Sequence, residues 1–109
     1  MTQKVYKFSN KAVKATLKAA QRDHKEQLVS SRAMLLVECI SVTVQNNKVC
    51  IDLPFGFKQH CLSVPSSIPN GQEAQACLHI CTHLGSPTGI KVEIRVSNNT
   101  VYQQTIGFC

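Results

Sequence analysis

Two hydrophobic periods share this chain of 109 residues, and they change places along it. In the first third Val13, Leu17, Ala20 and Leu28 recur at helical spacing. Lys4, Lys7, Lys11, Lys14, Lys18, Arg22 and Lys25 step by three or four residues and, if the segment is helical, fall on one stripe, different from and mostly opposite to the apolar one. The alanine-rich run KAVKATLKAAQ favours helix by propensity, and Asn10 or Ser9 is suited to cap it. The pattern predicts one long amphipathic helix from about residue 10 to about residue 33.

Beyond it the period becomes two. The segments SVTVQNNKVCIDLPFGF and EIRVSNNTVYQQTIGF share Val-x-Asn-Asn-x-Val followed by Gly-Phe, their Asn pairs 52 residues apart. Asn tolerates the positive φ of a tight hairpin turn, so each reads as a hairpin. With Asn46 and Asn47 at the first turn, Val44 is expected opposite Val49, Val42 opposite Ile51 and Ile40 opposite Leu53, all on one face. In the second, Val96 is expected opposite Val101, with Ile90, Val92 and Ile94 continuing the apolar face. Gln103 and Thr105 then make the last strand a weak edge. Between the hairpins KQHCLSVP is a short strand candidate ended by Pro65, and SSIPNG is a loop.

The segment GQEAQACLHICTHL fits the helical template again. Asn70 and Glu73 have capping-box spacing, and Gly85 and Pro87 follow as stop signals. In that reading Ala74, Cys77, Leu78, Cys81 and Leu84 face inward, and Gln75, His79, Thr82 and His83 face away. The predicted fold is α+β in the order α-β-β-β-α-β-β. It is a single domain over residues 1–109, with 1–9 a flexible arm and an antiparallel sheet carrying two helices.

Composition sharpens this. Six cysteines in a chain this short permit three bridges in fifteen connectivities. Cys77 and Cys81, on the inner face of the second helix, are expected to meet Cys50 and Cys61, leaving Cys39 and Cys109 as a third pair. Bridges would supply stability that a small core lacks. The alternative is a set of buried reduced thiols in a cytoplasmic protein, with Cys109 free to link chains. The N-terminal run has no apolar stretch of the kind that makes a secretory signal, so a secreted or cell-surface location is argued from the cysteines alone.

Charge is concentrated. The first 33 residues carry eight basic against two acidic side chains, while the remainder is balanced, so the whole net charge of +6 sits at the N-terminal end. Lys11, Lys14, Lys18, Arg22 and Lys25 form the candidate site, suited to an anionic membrane surface or another polyanion. No aromatic set interleaves with them, so specific nucleic-acid recognition is not expected.

Catalytic chemistry has little to work with. The six carboxylates are scattered, and no nucleophile elbow, phosphate-binding glycine loop or Cys-x-x-Cys motif occurs. Cys61 with His60 or His79 is the least unfavourable nucleophile pair. His79 and His83, four apart, would need further ligands to hold a metal. No catalytic residue, metal site or cofactor is therefore assigned. The expected function is a non-enzymatic, disulfide-stabilised protein of effector, toxin or defence type acting through its cationic helix. One alternative is a self-assembling protein, a homo-oligomer through a sheet edge and intermolecular cysteines. The other is a cytosolic nucleic-acid- or protein-binding module with reduced cysteines.

Overall fold

Alternation, rather than helical periodicity, governs the chain from residue 32 onward. The computed structural model describes residues 4–26 and 32–109, the side chains of residues 21–26 and 32 excepted. The elements are β1 (Val5–Lys7), α1 (Asn10–Glu26), β2 (Arg32–Thr43), β3 (Lys48–Leu53), β4 (Lys58–Ser63), β5 (Glu73–His83), β6 (Ser86–Val96) and β7 (Asn99–Gly107). The expected α+β arrangement with two helices is overturned. The fold is mostly β, in two sheets ordered β1-β3-β4 and β2-β5-β6-β7.

The sheets enclose one core. Val49, Ile51, Leu53 and Leu62 of the smaller sheet pack with Val42, Ala74, Ala76, Leu78, Ile80, Ile90, Val92 and Ile94 of the larger. Residues 5–8, expected in a flexible arm, belong to this structure: β1 runs parallel to β3, and Phe8 is buried.

The helix is shorter than its pattern suggested. Ser9 caps it, its Oγ accepting from Ala12 N–H at 3.3 Å. Val13 and Ala20 are buried and Leu17 half-buried against the core, and α1 packs on β2 and β6. The chain is already a strand at Arg32. Leu28, expected on the apolar face, lies outside the described residues.

The segment read as a second helix is β5, the most consequential correction. Its even positions Ala74, Ala76, Leu78 and Ile80 enter the core, while Cys77 and Cys81 on the other face are buried too. A strand flanked by β2 and β6, with core residues on one face and bridged, buried cysteines on the other, shows a nearly continuous apolar run, which helical spacing fits equally well. Gly85, taken as a helix stop, supplies positive φ in the two-residue turn Leu84-Gly85 joining β5 to β6. The same backbone requirement serves both a helix end and a hairpin.

Both Asn-Asn turns need adjustment. Asn46 and Asn47 do have positive φ, and Gln45 and Lys48 exchange backbone hydrogen bonds across them at 3.0 and 2.9 Å. The ladder then stops, because Val44 bonds instead to Gln72 and Gly71. β2 and β3 diverge into different sheets with their apolar residues facing one shared core. In the second hairpin the turn residues are Ser97 and Asn98, and a bulge between Ile94 and Arg95 restores the pleat. Ile94 is thereby opposite Tyr102, Val92 opposite Gln104 and Ile90 opposite Ile106, one residue away from the expected register.

Candidate functional site

The cationic face is made by anchoring the opposite side of α1. Ser9 N–H donates to Glu38 Oε1 on β2, tying the helix start to the sheet, and the burial of Val13 and Ala20 fixes its roll. Lys11, Lys14 and Lys18 are consequently exposed together. Their spacing sets them along roughly 10 Å of helix. The first turn contains no acidic residue of its own, and Glu38 at the Ser9 end complements the positive end of the helix dipole. Among the described residues no carboxylate pairs with these three lysines. Arg22 belongs to the same helix, as does Lys25, but their side chains lie outside the described residues.

All six cysteines are paired, though not as expected. The bridges are Cys39–Cys77, Cys50–Cys61 and Cys81–Cys109. The reason is the strand conformation of β5, which turns Cys77 and Cys81 away from the smaller sheet. Cys77 falls opposite Cys39 on β2, and Cys50 opposite Cys61 across β3 and β4. Cys61 therefore offers no thiol to His60 or His79 as a nucleophile, and Cys109 none for an intermolecular link.

The histidines follow the same correction. Cys77, His79, Cys81 and His83 alternate along β5 and share its outer face instead of dividing between two sides of a helix. His79 and His83 are then about 13 Å apart along the strand, too far to chelate one ion. Among the described residues no group of three or more His, Cys, Asp or Glu is placed to hold a metal.

Two concavities mark the larger sheet. One of about 910 Å³ is lined by Met34, His83, Lys91, Thr105 and Phe108 around the Cys81–Cys109 bridge. The other, about 430 Å³, contains Lys4, Ser41, Gln75 and Arg95. Both are open surface features. The sequence reading missed these outer-face groupings; the signal that would have found them is the strict two-residue spacing of Cys77, His79, Cys81 and His83.

No family model matches the chain, and no curated protein or solved structure is significantly similar to it. No helix among the described residues is long and apolar enough to cross a membrane. The three intramolecular bridges fit a small disulfide-stabilised protein and an oxidising environment.

Proposed function

We propose that this is a non-enzymatic binding protein, secreted or displayed at a cell surface, whose α1 face captures anionic surfaces electrostatically. The observation that carries the reading is the joint exposure of Lys11, Lys14 and Lys18 on a helix whose other side is locked to the core. Arg22 and Lys25 extend the stripe by sequence.

The packing also favours one mode of contact. A helix that lies in a membrane interface buries its apolar face among acyl chains. Here Val13 and Ala20 are already buried in the protein. Capture is therefore peripheral, made by headgroup charge without insertion. The bridged sheets act as a rigid carrier that holds the lysines in place.

Co-sedimentation with vesicles containing phosphatidylserine, against neutral vesicles, tests this. Binding should require the anionic lipid and disappear with Lys11→Glu, Lys14→Glu and Lys18→Glu combined. Unchanged binding by that variant would refute the assignment.

A further inference from the structure

We infer that β7 is a docking edge for a second copy of this chain, the two β7 strands pairing antiparallel about a two-fold axis at Gln104.

An open sheet edge presents unpaired N–H and C=O groups, and proteins normally protect it with short strands, charge, proline, bulges or covering elements. Among the described residues three of the four sheet edges are protected. β1 has three residues and ends in Lys7. β4 is short, begins with Lys58 and runs into Pro65. β2 has a bulge between Leu36 and Glu38, lies under α1, and donates Thr43 N–H to Tyr6 Oη at 2.9 Å.

β7 has one bulge, at Val101 near its start, and touches β4 across the core, but from Tyr102 to Ile106 it carries none of these devices. It spans nine residues, and Val96 to Cys109 contains no charged residue and no proline. Thr100, Val101, Tyr102, Gln103, Gln104, Thr105 and Ile106 are otherwise β-branched, aromatic or amide residues suited to an extended ladder. Its far end is fixed by the Cys81–Cys109 bridge and by Phe108 N–H donating to Thr88 C=O at 3.1 Å.

The ladder phase says which groups are available. Phe108 bonds to Thr88, so by antiparallel alternation Ile106, Gln104 and Tyr102 point their backbone groups at β6. Gln103 and Thr105 therefore direct theirs outward. Pairing about Gln104 sets Gln103 of each chain opposite Thr105 of the other, so that all four of these residues use both backbone groups. Tyr102 then lies beside Ile106 of the second copy, an aromatic-aliphatic cross-strand pair. No charge meets its own image across the axis, which a self-complementary interface requires.

The remaining electrostatics favour this edge as well. Each chain carries +6, and α1 packs on β2 and β6 but makes no comparable contact with β7. The pairing keeps the lysine faces away from the joint, leaving a long-range repulsion that salt screens. Dimerisation should strengthen as salt rises, the reverse of capture by the lysine face.

Sedimentation equilibrium on the disulfide-intact protein tests the inference. The apparent mass should rise with concentration from one chain toward two, and more steeply at higher salt. Gln103→Lys and, separately, Thr105→Pro should each weaken association roughly tenfold or more while preserving the circular dichroism spectrum. Thr105 is suitable because its N–H is unused within the sheet. The Lys11, Lys14 and Lys18 reversal should leave the dimer in place, which separates this inference from the proposed function. A native protein that stays monomeric at every concentration and salt level would overturn it. So would a dimer insensitive to both edge variants, or one that survives denaturant until reductant is added.

Discussion

Cys39 and Cys77 are cross-strand partners in the β2–β5 ladder, their Cα atoms 4.0 Å apart, so that one bridge fastens the edge strand of the larger sheet to an inner one. The other two bridges close shorter loops, with sequence separations of 28 for Cys81–Cys109 and 11 for Cys50–Cys61, against 38 here. Loop-closure entropy grows with the logarithm of loop length, so removing Cys39–Cys77 should cost about 1 kcal/mol more than removing Cys50–Cys61. Removing Cys81–Cys109 should fall between them. Urea unfolding of the three paired Cys→Ala variants checks the order; equal losses would show that the bridges act otherwise than through the unfolded chain.

The first tight turn makes a conformational prediction. Asn46 and Asn47 have φ values of 53° and 60°. Asn47→Val should destabilise by about 1–2 kcal/mol, because a β-branched residue is poorly accommodated there. Asn47→Gly should change stability by less than about 0.5 kcal/mol. Denaturant midpoints of the pair decide it, and a tolerated valine would mean that the turn adopts another conformation.

Gly89 tests the β6–β7 contact. A Cβ at this position would lie 2.6 Å from both Ile106 O and Phe108 N. Gly89→Ala should therefore force the strands apart and cost about 1–3 kcal/mol. It should also raise amide exchange at Ile106 and Phe108 before the rest of the sheet. Unaltered exchange at these two amides would contradict the close approach.

These features were unequally legible in the sequence. The apolar set around Asn46 and Asn47 and the turn itself could be read locally, because positive φ and two-residue alternation are properties of neighbouring residues. The divergence of β2 and β3 could not, since it depends on Val44 meeting Gly71 and Gln72, which are distant in sequence. β5 was hidden for a related reason: Cys77 and Cys81 looked like part of a helical core face, and their burial comes from bridges to Cys39 and Cys109. The shared exposure of Lys11, Lys14 and Lys18 could be read from spacing, but Lys4 and Lys7, read into the same stripe, stand before and at the end of β1 and not on the helix. The attachment of α1 through Glu38 and Ser9 could not be read.

Membrane contact by the lysine face should be purely electrostatic. Each lysine near an anionic leaflet contributes about tenfold or somewhat less to partitioning, so Lys11→Gln, Lys14→Gln and Lys18→Gln together should weaken vesicle binding roughly a hundredfold. Salt should release the bound protein completely, and dye-loaded vesicles should not leak, because Val13 and Ala20 stay in the core. Leakage that accompanies binding would require α1 to leave the sheet and would contradict peripheral capture.

The most direct test of the lysine face is amide shift mapping of the oxidised protein during titration with a soluble polyanion, inorganic polyphosphate. Perturbations should centre on Lys11, Lys14 and Lys18, continue toward Arg22 and Lys25, and spare Gln103 and Thr105. Perturbations centred instead on Lys4 and Arg95 beside the smaller concavity, or their absence from α1 at saturation, would contradict the account.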